Sequence, residues 1–522
     1  MNESEIISAD DKYDLDWADP SEPYKRSCLH FHRAPENSHN DHLMGSLYRE
    51  IGLAPLGNND VTAENKSFVE KLKQSIPEGF PDRKSPSGIG HEQWREWVRN
   101  YLKLPENTTQ RSILRLGPTI PEIACVSAVA KASRNWNPGE LIRGMVFKGA
   151  SSSKDREKLW KELAISLSVN RKADDVWAVF LSREMREWLP DRIRDEVNKP
   201  EDCLFKKDYK GTESPPVGVE FDFNFPAREF FESLPYILKL KECLTRKQWI
   251  SILDSFLRIS CVSEVLWTAE INVRVFDMAK RALSGEEFGE GEVAKELSKN
   301  YSLLAHGEHV ENSLRAQCRA YARARIGLNF ILHKMNSLGG VFREFFEDEK
   351  ELNSPVRLAE LFGKITDMRD QLNIQEVTTF ISDVIDDKPK LTKLTGSGTW
   401  SVNLYYFCLY TLRQMLANDD SKRHLDQGYW AKKSGAYRGS SWNISLGANA
   451  VIAMVASCNP FTNRQVTLID LQKKMAGFGV KVSVKDLSVG EVGKTMRALG
   501  LVVDSPDAEG GMVIKFPYGY KT

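Results

Sequence analysis

The sequence predicts a mainly α protein, a multi-helix scaffold with minor β. Three observations lead there. From Ala227 to about Leu416, apolar residues recur at spacings of three and four, the period of helices that bury one face. Val219 to Phe225 reads Val-Glu-Phe-Asp-Phe-Asn-Phe, an alternation that suits a strand with its aromatic residues on one face. Hydrophobic residues make up 41% and charged residues 28% of the chain, the balance of a globular protein with buried cores.

The 522 residues are enough for about three domains. An acidic arm is expected over 1–25, which is polar and carries Asp10, Asp11, Asp14 and Asp16. A mainly helical N-terminal domain follows over 26–200. The charged, proline-broken stretch from Asp191 to Gly218 separates it from a central helical domain over 219–418, and a last domain spans 440–522. Lys+Arg and Asp+Glu both number 72. Overall charge therefore attracts neither nucleic acid nor a membrane surface, and any such contact has to be local. The N-terminus shows no apolar leader, and no run reaches the length of a membrane span. The eight cysteines are scattered without a C-x-x-C pair, so reduced thiols and a cytoplasmic location are expected.

In chain order, Thr62–Ser75 and His91–Leu102 read as helices, with Trp94, Trp97 and Tyr101 at helical spacing in the second. Glu122–Ser133 reads as a buried helix. Ser152–Leu167 carries Leu159, Trp160, Leu163 and Leu167 on one stripe, and Val176–Leu189 gives another helix, stopped by Pro190. In the central region Glu229–Leu244, Arg246–Ser260 and Ser263–Leu283 form successive amphipathic segments. Glu311–Leu338 is a long helix, and Val402–Met415 is strongly apolar and aromatic, with Tyr405, Tyr406, Phe407 and Tyr410.

Candidate sites are few. Cys28, His30, His32, His39 and His42 form the densest cluster of potential ligands for zinc, yet their spacing matches no standard zinc knuckle. Histidines of a strand and loop, bonded to backbone or water, are the favoured reading. Glu220 and Asp222 share a strand face able to hold Mg²⁺, as a metal-dependent nuclease needs, but a solvated sheet face explains them more cheaply. No phosphate-binding G-x-x-x-x-G-K-[ST] occurs. The cationic features are sharper. Arg315, Arg319 and Arg323 stand at i, i+4 and i+8, with Arg325 a fourth nearby. Like charges so placed destabilise an isolated helix by a few tenths of a kcal/mol per pair, about 0.2–0.5, so acidic neighbours or an anionic ligand must offset them. A later stretch mixes Lys432, Lys433 and Arg438 with Tyr429, Trp430, Tyr437 and Trp442, a composition suited to single-stranded or backbone contacts.

The last stretch carries the one resemblance. Asn443–Cys458, Thr467–Gly477 and Ser488–Leu499 read as three short helices, the third with Val489, Val492, Met496 and Leu499 as its buried stripe and Gly500 as its stop. Leu501-Val502-Val503, a turn rich in Asp and Gly, and Met512-Val513-Ile514 then form a hairpin. Three helices followed by a hairpin resembles the winged-helix modules of bacterial proteins over roughly the last 80 residues. The resemblance implies a surface that meets DNA, duplex or single-stranded, or another protein. Lys494, Arg497 and Lys515 would be its cations. The expectation is a non-catalytic DNA-binding or scaffold subunit without cofactor, working beside other protein subunits. A bacterial phage-defence or DNA-processing system is the natural setting. A metal-dependent nuclease and a protein–protein adaptor are the alternatives.

Overall fold

The computed structural model describes residues 40–54, 118–126, 138–189, 199–203, 226–298, 303–337, 354–371, 374–380, 382, 400–415, 426–435, 440–458, 465–502 and 512–516. Helix dominates them, as expected. The N-terminal part contains α1 (Asn40–Ile51), α2 (Pro121–Val126), α3 (Pro138–Gly149), α4 (Ser153–Leu167) and α5 (Val176–Trp188). Two of these starts are set by their caps. Ser152 Oγ accepts from the Asp155 N–H at the head of α4, and Asp175 Oδ1 accepts from the Ala178 N–H at the head of α5, each satisfying a backbone donor the helix itself leaves open. The centre contains α6 (Pro226–Lys239), α7 (Arg246–Leu283), α8 (Glu290–Leu297), β1 (Leu304–Ala305), α9 (Val310–Ser337), α10 (Pro355–Asp367), α11 (Ile374–Phe380) and α12 (Trp400–Leu412).

The axis of the molecule is α7. Its 38 residues make it about 57 Å long at 1.5 Å per residue. The sequence suggests two amphipathic segments here; the structure has one helix. The reason lies in burial. Trp249, Leu253, Phe256, Leu257, Val262, Val265, Leu266 and Trp267 are all buried, on every side of the helix, so no single stripe marks it. A capping box starts it: Thr245 and Gln248 exchange side-chain and backbone hydrogen bonds. Helices α1, α3, α6, α9, α10 and α12 pack around it.

The polar residues of α7 are tied to distant segments. At its head, the buried Arg246 pairs with Asp174 at 2.9 Å and donates to the carbonyls of Thr119 and Ser168 at 2.7 and 3.1 Å. Further along, Arg258 pairs with Asp254 at 2.6 Å and Asp426 at 3.2 Å. Asp426 also accepts the N–H groups of Met415 and Gly428 at 2.7 and 3.1 Å. Next, Glu264 pairs with Lys148 of α3 at 2.8 Å.

The C-terminal part contains β2 (Ala431–Lys433), β3 (Trp442–Ile444), α13 (Ala448–Ser457), β4 (Val466–Thr467), α14 (Leu468–Gly477), β5 (Val480–Lys481), α15 (Val484–Ser488), α16 (Glu491–Ala498) and β6 (Val513–Ile514). Two helices expected from the sequence are revised. Asn443 belongs to a strand, because β3 pairs antiparallel with β2 and α13 starts only after Gly447. The expected third helix, Ser488–Leu499, starts only at Glu491 as α16, and a separate short helix, α15, precedes it. Gly490 lies between them, where an added Cβ would meet the Asp486 Cα at 2.7 Å, and Val489 is 57% exposed instead of buried. The pairings are short: β4 with β6 antiparallel, Val502 bridged to Ile514 on the other side, and β5 parallel to β1 of the central region. Gly479 takes φ 69 just before β5 and would clash with Leu303 if it carried a Cβ, at 2.6 Å. Helix α13 packs against α6 and α7, and Ser263 Oγ of α7 donates to the Phe478 carbonyl at 2.6 Å. The acidic arm over 1–25 and the strand Val219–Phe225 lie outside the described residues.

Removing Asp426 leaves Arg258 with Asp254 alone and takes the acceptor from the N–H groups of Met415 and Gly428. Asp426→Ala is expected to cost about 1–3 kcal/mol of stability for the donors left unsatisfied, read as a lower urea midpoint. Asp277→Ala is the control. Asp277 pairs with Lys280 on the surface, 55% exposed, and its loss is expected to stay within about 0.5 kcal/mol. Equal midpoints for the two variants would remove the anchoring role from Asp426.

Candidate nucleic-acid interface

Helix α9 turns one face to the core through Leu314, Cys318, Tyr321 and Ala322, all buried. On its other side it presents the arginine stripe. Residues four apart advance about 6 Å along the axis and stay nearly aligned, so Arg315, Arg319 and Arg323 form a row. Arg315 and Arg319 are exposed and Arg323 is half-buried. The fourth, Arg325, is only 5% exposed and turns into the core; its position falls on the buried side of the helix. None of the three arginines forms an ion pair among the described residues, and Arg323 Nε is shielded from solvent without a hydrogen bond. Arg315 has an aromatic partner instead. Its guanidinium lies 4.4 Å from the centre of the Tyr405 ring, and Nη2 donates to the Tyr405 hydroxyl at 3.3 Å.

From Tyr405 a series of ring contacts runs to the β2–β3 pair. Tyr405 and Tyr406 of α12 lie 5.1 Å apart, and Tyr406 stacks on Tyr410 at 5.3 Å. The Arg413 guanidinium covers Tyr410 at 3.7 Å and lies 5.9 Å from Trp442. Lys433 Nζ completes the series, 5.6 Å from the same indole. Local structure sets this order. Tyr406, Tyr410 and Arg413 stand at helical i, i+4 and i+7, and Lys433 opposes Trp442 across the β2–β3 pair. Tyr406, Tyr410 and Arg413 are half-buried, whereas Tyr405 and Trp442 are buried at 3% and 7% exposure. A cation held over a ring gains about 0.5–2 kcal/mol and loses less freedom on meeting a ligand. Two of the predicted cations, Arg315 and Lys433, thus stand at the two ends of one series. Arg413 was not singled out by the sequence.

The C-terminal cations are placed separately. Lys494 on α16 is exposed and unpaired among the described residues. Arg497 turns inward: its Nη1 donates to the Ser488 carbonyl at 2.6 Å, fastening α16 to the end of α15. Lys515 is exposed beside β6, its N–H on the Leu501 carbonyl at 2.8 Å. The ladder and α16 meet through β3: three residues beyond Trp442, Ser445 Oγ lies 3.3 Å from the Glu491 carboxylate at the head of α16.

Arg438, Cys28, His30, His32, His39, Glu220 and Asp222 lie outside the described residues, as does the side chain of His42, whose backbone belongs to α1. Among the described residues no three His, Cys, Asp or Glu side chains form a group able to hold a metal ion, and no helix is long and apolar enough to cross a membrane.

The seven cysteines of the described residues are free. Burial, with the Glu122 carboxylate beside it, pushes the Cys125 thiol up to about 12, and burial raises Cys261 and Cys408 well above the usual thiol range. Thiolate is the reactive form. Iodoacetamide at pH 8 is therefore expected to label the exposed Cys243 in the native protein and to reach Cys125, Cys261 and Cys408 only after denaturation. Peptide mass spectrometry reads the result; native labelling of Cys125 at the rate of Cys243 would contradict it. The chain matches no protein-family model, no curated protein and no solved structure.

Proposed function

We propose that the chain is a non-catalytic DNA-binding subunit that holds the phosphate backbone along the α9 stripe. One observation carries the proposal: Arg315, Arg319 and Arg323 form a row of like charge that no acidic side chain of the described residues pairs. Such a row opposes its own helix by a few tenths of a kcal/mol per pair, about 0.2–0.5. An anion arriving from outside offsets that cost and releases counterions from the nucleic acid. The ladder extends the row. A guanidinium stacked on a ring can still direct N–H groups at phosphate oxygens, so Arg315 is suited to backbone contacts that position without reading sequence.

The C-terminal region supports the same reading. Its order is α13, β4, α14, α15, α16, Val502 and β6, with Ile514 of β6 between Val466 of β4 and Val502. Helices followed by a small antiparallel sheet are the arrangement of a winged helix, and we assign residues 440–522 to that class. In this assignment α16, with Lys494 outward, is the helix that approaches DNA. Arg497 has a structural part on the Ser488 carbonyl. A subunit of this kind works beside partner chains that supply the chemistry, and a bacterial phage-defence system is the setting we favour.

The test is binding of labelled duplex and single-stranded DNA at about 50 mM and about 200 mM salt, followed by fluorescence anisotropy. Each phosphate contact contributes about one unit to the slope of log affinity against log salt. Arg319→Glu with Arg323→Glu is expected to flatten that slope by about two units. Lys494→Glu is expected to flatten it by about one. Absence of binding at the lower salt, or an unchanged slope in all variants, would sink the proposal and favour the adaptor reading, for which pull-down of partner subunits is the next measurement.

A further inference from the structure

A second cationic feature lies in the N-terminal part, built from elements that carry none of the DNA-facing residues. A cavity of about 590 Å³ opens between the end of α1, helix α2, the loop joining α4 to α5, and the turn at Lys199 and Pro200. The size falls within the range of small-molecule sites, about 300–1,000 Å³. Its walls divide into two chemistries. Leu53, Pro121, Val169 and Leu189 supply an apolar side. Arg171, Lys172, Arg186 and Lys199 supply four cations, against the single carboxylate of Glu122.

The charged side is held in place. Arg186 Nε donates to Glu122 Oε1 at 2.6 Å, and Ser182 Oγ donates to the same oxygen at 2.7 Å. Glu122 is 4% exposed, whereas the Arg186 side chain is 57% exposed. The pair therefore fixes a guanidinium whose two terminal nitrogens have no partner among the described residues. The other oxygen of Glu122, Oε2, is shielded from solvent and has no hydrogen bond among the described residues, although buried polar atoms are ordinarily satisfied. The loop is braced too. The Asn170 N–H donates to Asp174 Oδ2 at 2.7 Å and the Lys172 N–H to Asn170 Oδ1 at 2.8 Å. The Ser168 carbonyl is held from behind by Lys241 and Arg246, at 3.2 and 3.1 Å. Arg171, Lys172 and Lys199 are exposed and form no ion pair among the described residues.

An occupant that satisfies both walls has a flat or apolar body and a strongly anionic group. We propose that this cavity binds a phosphorylated nucleoside. The base packs against Leu53, Pro121 and Leu189, and the phosphate takes Arg186 with Arg171, Lys172 and Lys199. Planar guanidinium groups suit phosphate oxygens, and an apolar cavity with a few convergent polar groups is the ordinary form of such a site.

The experiment is calorimetric titration of the full chain with AMP, GMP, CMP and UMP, each compared with its unphosphorylated nucleoside and with inorganic phosphate. At least one mononucleotide is expected to bind about tenfold more tightly than both of its halves. Lys172→Glu with Lys199→Glu is expected to weaken that nucleotide by about tenfold or more while leaving the melting temperature and DNA affinity unchanged; both residues are on the surface, so the fold is not at stake. Absence of mononucleotide binding up to about 1 mM, equal binding of nucleotide and inorganic phosphate, or wild-type nucleotide affinity in the double variant would each overturn the proposal. DNA binding measured on the same samples separates this outcome from the fate of the α9 surface.

Discussion

From Ile252 to Ala269 helix α7 is buried on every side and leaves no polar group to solvent, and that constraint organises the rest of the molecule. Asp254, Arg258 and Glu264 lie within that stretch and Arg246 at the head of the helix, all nearly inaccessible. Each requires a partner from another part of the chain, because a buried charge left alone costs several kcal/mol, about 3–5. Asp174 answers Arg246, Asp426 shares Arg258 with Asp254, and Lys148 answers Glu264. Neutral groups follow the same rule. Ser255 Oγ donates to the Gly428 carbonyl, and Trp430 Nε1 donates back to the Ser255 carbonyl, both at 2.9 Å. Segments more than a hundred residues away are thus positioned by polar contacts on one helix, while apolar burial supplies the bulk of the driving force.

The two cationic surfaces solve different problems with the same residue types. On α9 the guanidinium groups are spread in a line, with Arg315 held over the Tyr405 ring, which suits a polyanion of repeating charge. Around the N-terminal cavity they converge on one volume beside an apolar wall, which suits a single compact anion. A chain with 72 basic and 72 acidic residues has no long-range field to draw either partner in. Any anion that meets either surface is therefore held by local placement at short reach, since salt screens exposed charges beyond about 8–10 Å.

What the sequence made legible follows from the range of each signal. Helices α4 and α5 appear with nearly their true bounds because their caps, Ser152 and Asp175, and their stripes are local. The continuity of α7 was hidden because burial on all faces erases the stripe. The start of α16 was set too early because Val489 stands at helical spacing from Val492 and Met496, while the deciding feature is the close approach of Gly490 to Asp486. The arginine stripe was readable from spacing alone, but Arg325 was grouped with it although its angular position faces the core. Of the ladder, Tyr406, Tyr410 and Arg413 at i, i+4 and i+7 were a local signal that went unused. The contact of Arg315 with Tyr405 joins residues 90 apart in the chain, which no periodicity reveals. The cavity around Glu122 and Arg186 draws on five separate segments and left no sequence motif at all.

The parallel pairing of β5 with β1 has a consequence for synthesis. Leu304 and Ala305 meet Val480 and Lys481, and the Phe478 carbonyl receives Ser263 of α7. During translation at about 5–20 residues per second, α7 leaves the ribosome well before these partners exist. For several seconds its apolar face toward α13 stays uncovered, and the central helices wait for the last fifth of the chain before their packing is complete. Contacts of such long sequence separation slow folding and prolong exposure of apolar surface. The growing chain is therefore a natural client for chaperones. A stop codon near residue 440 would release a protein whose central helix is bare along one side, not a smaller protein lacking an appendage.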